Sequence, residues 1–265
     1  MDHPLRTVLR GYAQALRSWE VWLHLGTQDI KNRYKRSFVG PLWLMISMAT
    51  MVVGLGLLFA RIFAQGRSFV AFLSVGITLW GLIASSITDG GYAFIGAEAY
   101  IKQIPLPKQI YIFRTMVVSL IVFSFSLPVL LGAILYAGLP VGLGLVWALV
   151  GLAIVVVCCV GQISIMAYLS VSFRDLPPAT SSALQLLYFF TPIFYPVDVL
   201  RQRGVGILLH FNPFYYLIEV VRYPILENVR PTAQVYAGAI LWTAIVWTVA
   251  LLLAARLDRR IAYTL

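Results

Sequence analysis

Charge is what this sequence has least of: Asp, Glu, Lys and Arg make up 11% of 265 residues, against 60% hydrophobic. A soluble domain carries about 25% charged residues, so too little polar surface exists here to cover a water-soluble globule. Acidic residues are scarcest, 10 against 20 Lys and Arg. A net charge of +10 in a soluble protein points to nucleic acid, but these basic residues mostly flank apolar runs, where they meet anionic head groups. No basic groove with interleaved aromatics stands apart from those runs, which argues against nucleic acid as a partner. The lysines, Lys31, Lys35, Lys102 and Lys108, never follow a glycine, so no phosphate-cradling loop of the nucleotide-hydrolysing kind exists in the chain. His3, His24 and His210 are scattered, and the two cysteines, Cys158 and Cys159, are adjacent in an apolar run. Neither set has metal-ligand or disulfide spacing, so no metal site and no catalytic residue is assigned. Asp89 and Glu98, nine residues apart, read as solvated loop residues.

What is present is hydrophobic length, with a mean hydropathy of +0.86. Residues free of Asp, Glu, Lys and Arg run over 37–60, 68–88, 115–173, 176–197 and 231–255. The third run would form a helix about three bilayers long at ~1.5 Å per residue, so it must fold back. The turn falls in Ala137–Gly144, AGLPVGLG, where Gly and Pro interrupt the apolar sequence. The expectation is an all-α integral membrane protein with six transmembrane helices near 41–60, 69–88, 115–136, 145–172, 180–196 and 234–255.

Before the spans, Leu5, Val8, Leu9, Tyr12, Leu16, Trp19 and Leu23 recur at helical spacing, with Arg6, Arg10 and Arg17 opposite. That pattern predicts an amphipathic helix lying in the interface, so residues 1–36 form an interface segment ahead of a transmembrane domain over 37–265. The arginines interrupt any signal-peptide core, and the N-terminus is expected to be retained. On one side of the predicted spans lie only Arg61, Arg67, Arg201, Arg203, Arg222 and Arg230, while the other side holds the remaining fourteen of the twenty basic residues. The bias towards positive charge inside puts both termini in the cytoplasm.

The connection over 197–230 is unusual. PIFYP at 192–196 ends the fifth run with two prolines, and Gly204–Ile218 is a second apolar piece too short to span. This predicts short re-entrant helices before the last span, tolerated where protein or a water-filled cavity satisfies the backbone. Glu219 and Arg222 stand three apart and can pair on one helical face. No carboxylate or lysine sits at mid-depth in a predicted span, which argues against a proton- or sodium-coupled carrier. The fifth run instead offers rings, Tyr188, Phe189, Phe190, Phe194 and Tyr195, suited to stacking on sugar faces or to an interfacial aromatic belt.

Three blocks carry a resemblance: DIKNRYKRSFVGPLW at 29–43, SVSFRDLPPATSSALQLLYFFTPIFYPVDVL at 170–200 and NPFYYLIEVVRYPIL at 212–226. In order and spacing they resemble the ABC-2 type permeases of bacterial polysaccharide exporters, most closely the O-antigen branch, with teichoic acid and capsule exporters as relatives. Where many relatives have Leu-Gly before the first span, this chain has Val39-Gly40 followed by Pro41.

The resemblance implies a permease subunit without enzymatic activity in the bacterial inner membrane, paired with a second copy of itself. Two copies of a separate cytoplasmic ATPase would bind ATP and Mg, and the cargo would be a glycan on a polyprenyl-diphosphate lipid. It also implies that a short helix within Gly91–Gln103 docks on the ATPase through Glu98, Tyr100 and Lys102, with the turn at Arg174-Asp175 as a second contact. Trp43 and the fifth-run rings would line the substrate path. Lys31, Arg33, Lys35 and Arg36, with the flexible Gly40, lie where a diphosphate head group would arrive. An ABC-2 permease exporting teichoic acid, capsule, or a drug or small lipid is the alternative.

Overall fold

The computed structural model describes residues 4–62, 66–140, 142–197, 209, 211–258 and 260–264, and among them there is no strand. Much of the predicted re-entrant segment, including Asp198, Arg201, Arg203 and His210, lies outside the described residues. The helices are α1 (Pro4–Arg17), α2 (Trp19–Tyr34), α3 (Leu42–Ile62), α4 (Ser68–Gly90), α5 (Glu98–Gln103), α6 (Gln109–Ala137), α7 (Leu143–Ser172), α8 (Leu176–Phe190), α9 (Pro213–Glu227), α10 (Ala233–Leu257) and α11 (Ile261–Thr264). Four of them, α4, α6, α7 and α10, are each long and apolar enough to cross a membrane, and α3 adds a shorter apolar stretch over Leu42–Gly56. The chain is an all-α, multi-pass membrane protein.

Local chemistry explains the boundaries. The expected turn after α6 is present: Gly138 takes φ 66°, and Leu139 N donates to Ile134 O at 3.3 Å, which closes the helix in a Schellman motif. The helix of the expected fifth span, α8, begins and ends earlier than the expected 180–196. Pro177 and Pro178 stand in its first turn, where no backbone donor is needed, and Thr191 before Pro192 is held extended, so helical geometry stops at Phe190. At ~1.5 Å per residue its 15 residues reach only about 22 Å. The N-terminal amphipathic helix is likewise two pieces, bent at Ser18. Val8, Tyr12 and Ala15 of α1 pack inward, while Leu9, Leu16, Trp19 and Leu23 stay exposed.

One end of the bundle gathers polar pairs that tie both described chain ends to it. Tyr12 Oη lies 2.7 Å from Ser164 Oγ, Gln109 Nε2 donates to Tyr168 Oη at 3.2 Å, and Tyr168 Oη donates to Asp258 Oδ1 at 2.8 Å. Lys108 Nζ stands 3.5 Å from Asp258 Oδ2. On α2, Asp29 receives Arg114 Nε and Nη2 at 2.5 and 2.6 Å, a bidentate pair across 85 residues.

The half-length α9 is seated in the body against α4, α7 and α10. Asn212 caps it by accepting from Phe214 N at 3.0 Å, and Asn228 ends it at φ 54° while its Oδ1 accepts from Gly144 N at 2.9 Å. Pro224 has no N–H for the Val220 carbonyl, which instead presses against Gly151 on α7. Glycine there removes the side chain that would hold the two backbones apart.

Arg222, buried completely, is not the loop charge assumed in counting sides. Its Nε donates to Glu219 Oε1 at 3.1 Å, with a second, shorter bond from Nη2; Nη1 donates to Pro192 O at 2.8 Å. The guanidinium carbon lies 3.9 Å from the Phe72 ring centroid on α4.

Candidate transport site and its coupling surface

The basic residues Lys31, Arg33, Lys35 and Arg36 all reach solvent at the end of α2 and in the bend beyond it. The bend ends at Gly40, whose φ of 59° is the left-handed region that favours glycine. Gly40 N donates to Ser37 Oγ at 3.0 Å, and α3 starts two residues later. Arg33 differs from its neighbours because it lines a cleft of about 450 Å³ with Asp29, Asp89, Tyr92 and Arg114. This corrects the reading of Asp89 as a solvated loop residue: it is half-buried at the end of α4 and faces that cleft. Nothing in local sequence signals this, since Arg33 and Asp89 are 56 positions apart.

The predicted aromatic residues are brought together in part. Tyr188 meets Phe194 edge-on at 4.6 Å between centroids and Phe189 at 5.9 Å, and Tyr195 Oη donates back to Phe189 O at 2.9 Å. Phe189 and Phe190 project outward, 67% and 72% exposed. Sequence reasoning missed Trp80, which stands behind Tyr188 at 5.5 Å and joins it to Phe214 on α9 at 5.4 Å. Trp43 is not part of this group: among the described residues no ring pair includes it. The point at which α3 nears Tyr188 is Met51, whose sulfur lies 4.0 Å from Tyr188 Oη. That is two helical turns, ~12 Å, further along α3 than Trp43.

At the other candidate surface, α5 carries an i,i+4 pair, with Lys102 Nζ 2.7 Å from Glu98 Oε1. Lys102 and, more weakly, Arg174 hold the Glu98 carboxyl below its usual range. The field of Arg174 thus reaches α5 from the α7–α8 turn. Gly91 abuts Pro177, which fixes the connection before α5 against the start of α8. Arg174 and Asp175 are both exposed and make no ion pair with each other among the described residues. Tyr100 lies 5.9 Å from the Arg114 guanidinium and is part-exposed, as are Tyr92, Ile104 and Phe173. Exposed rings beside fixed charges form a face suited to protein docking. No group of three or more metal-ligating side chains occurs among the described residues.

These features define a polytopic helical membrane protein with outward-facing rings on α8 and exposed rings beside charged side chains around α5 and the α7–α8 turn. A family model for the ABC-2 type transporter matches residues 20–226, and the chain belongs to that family. It is 27% identical over 192 residues to the O-antigen export system permease protein RfbA of Myxococcus xanthus, covering 71% of this chain and 72% of that one. Two proteins of the same name from Klebsiella pneumoniae are 26% and 27% identical over 185 residues, covering 69% of this chain and 71% of each.

Proposed function

We propose that this chain is the transmembrane subunit of an ATP-driven exporter that moves a polyprenyl-diphosphate-linked, O-antigen-like polysaccharide across the bacterial cytoplasmic membrane. The observation that carries the reading is the likeness, over about 70% of the chain, to three permeases named for O-antigen export. The chain acts as a homodimer of six-span subunits with both termini in the cytoplasm, on two copies of a separate ATPase that binds ATP and Mg.

Each step has a physical basis. The sequence holds no phosphate loop of its own, so the energy arrives through contact. The face around Glu98, Tyr100, Lys102, Arg174 and Asp175 receives the ATPase, and its attachment to α4 and α8 through Gly91 and Pro177 passes the motion on to the spans. The diphosphate arrives at Lys31, Arg33, Lys35 and Arg36, attracted by cationic charge at the membrane surface. The left-handed bend at Gly40 then directs α3 into the bilayer. Phe189 and Phe190, on the face of α8, give the glycan rings to slide over, because stacking is weakly directional.

The test is reconstitution of the chain with its ATPase in vesicles. Lipid-linked glycan is expected to stimulate ATP hydrolysis and to become accessible on the far side. Stimulation by a glycan-free lipid or a drug, and not by lipid-linked glycan, would replace this reading with the small-lipid alternative; teichoic acid or capsule precursors in the same assay resolve the cargo branch. Charge reversal at Arg33 and Arg36 that left export intact would remove the head-group step alone.

A further inference from the structure

The cleft of about 450 Å³ beside α2 carries charge of both signs on its own walls: Asp29 and Arg33 from α2, Asp89 from the last turn of α4 and Arg114 from α6. Two of these are spent on each other, since Arg114 donates to Asp29 through Nε and Nη2. Arg33 and Asp89 are left over. Neither side chain makes an ion pair or a hydrogen bond among the described residues, although both face the same space. The C-terminal end of α4 adds partial negative charge beside Asp89. Exposed Tyr92 and Gly96 border the cleft on the side of the connection to α5, while Thr115 and Val118 of α6 are buried. Val118 stands one turn further into α6 than Arg114, so the charged part of the cleft lies at the helix ends and its apolar part deeper among the spans.

We infer that this cleft binds the head group of one zwitterionic phospholipid with a primary ammonium, its phosphate at Arg33 and its ammonium at Asp89. Charge decides between ligands. The two guanidinium and two carboxylate groups of the lining sum to zero, so a purely anionic group meets Asp89 and a purely cationic one meets Arg33. A group carrying both signs satisfies both. A primary ammonium also donates hydrogen bonds to the carboxylate, which a trimethylammonium cannot. The level decides the source: Asp89 and Arg114 stand near the ends of the membrane-crossing helices α4 and α6, where phospholipid head groups lie. Bound there, the lipid bridges α2 to α4 beside the connection that leads to α5. The inference goes beyond the export reading, and its test contains neither glycan nor ATPase, so the failure of one leaves the other standing.

The experiment is native mass spectrometry of the full chain in mild detergent after titration with phosphatidylethanolamine, phosphatidylcholine or phosphatidylglycerol. Wild type is expected to retain one phosphatidylethanolamine with roughly fivefold preference over each of the others, the upper worth of a partly exposed charge pair. Asp89→Asn leaves the lining with one net positive charge, and is expected to turn the preference towards phosphatidylglycerol. Arg33→Gln is expected to lower retention of phosphatidylethanolamine roughly fivefold by removing the phosphate partner. Soluble phosphoethanolamine, the same head group without chains, is added as competitor and is expected to leave the bound lipid in place at equal concentration. Equal retention of the three lipids by wild type, or an unchanged preference in Asp89→Asn, would overturn the proposal. Displacement by soluble phosphoethanolamine would assign the cleft to a soluble zwitterion and overturn the lipid as its occupant.

Discussion

Arg222 Nη1 donates to the carbonyl oxygen of Pro192 at 2.8 Å, so a buried cation holds the point at which the chain breaks after α8. The same guanidinium is neutralised by Glu219 and stacked on Phe72, which joins the break to α9 and α4. Removing one member of a buried pair strands the other, at a cost of about 3–5 kcal/mol, while replacing both with apolar groups is far cheaper. Glu219→Gln is therefore expected to lower thermal stability in detergent sharply, and Glu219→Leu/Arg222→Met to recover most of the loss. Equal melting temperatures for the single and double variants would show that the charge pair is not what fixes this break.

The bend before α3 tests backbone conformation by itself. A side chain at Gly40 would meet nothing within 4 Å, so any penalty comes from its φ of 59° alone. Gly40→Ala is expected to cost about 1–2 kcal/mol and to slow transport without blocking membrane insertion, and Gly40→Asn to be milder because asparagine tolerates this region. Protease accessibility of the α2–α3 bend, measured beside transport, separates a displaced interface helix from a general loss of fold.

Gly151 is the opposite case: its conformation is ordinary, and the obstacle is the Val220 carbonyl. Gly151→Ala and Gly151→Val are expected to weaken the α7–α9 contact in order of size, and no asparagine rescue applies. Engineered cysteine cross-linking between α7 and α9 reads the separation. Unaltered cross-linking in Gly151→Val would exclude the close backbone approach as the reason for glycine.

The contrast between these positions also shows what was legible in the sequence. Helical spacing, charge-free length and the Gly-Pro turns located the long helices, because each depends on neighbours within a few residues. Glu219 and Arg222 could be paired from their spacing for the same reason. That Arg222 also reaches Pro192 and Phe72 could not, since those contacts span 30 and 150 positions. Trp80 and Asp89 escaped likewise: one reads as a span residue and the other as a loop end, until α8 packs on the first and Arg33 comes to share a cleft with the second. The bend at Ser18 was hidden because the apolar stripe continues across it, and only docking on α6 and α10 shows which of its residues turn inward.

On α5, the lowered carboxyl of Glu98 fixes the sign of a pH effect. The folded value lies below the usual one, so the attraction to Lys102 is present above the ordinary glutamate range near pH 4.3 and is lost as pH falls through the lowered value. Both groups are exposed, so global stability is expected to be indifferent to Lys102→Gln. Under the proposed function, association with the ATPase is the quantity expected to respond. Co-purification is expected to drop for Lys102→Gln at pH 7 and to converge with wild type only below the ordinary glutamate range, as pH falls through the lowered value; a difference that persists below that point would place the role of Lys102 outside the pair.

The two rings projecting from α8 give the sharpest test of the glycan path, because their neighbours separate two roles. Tyr188 is tied to Trp80 and Phe194, and its truncation would loosen the fold whatever the cargo is. Phe189 and Phe190 are largely exposed, so replacing them removes little packing and isolates what they offer to a ligand. An aromatic contact is worth ~0.5–1.5 kcal/mol beyond its buried area, or about two- to tenfold per ring. Phe189→Ala/Phe190→Ala, which removes both rings, is expected to weaken stimulation of the ATPase by lipid-linked glycan about four- to a hundredfold, leaving basal hydrolysis and assembly unchanged. Leucine at both positions keeps the apolar surface but not the flat face, so it should resemble alanine if sugars stack there and wild type if the rings only meet lipid. A leucine variant that exported glycan at the wild-type rate would reassign Phe189 and Phe190 to the aromatic belt of the membrane interface.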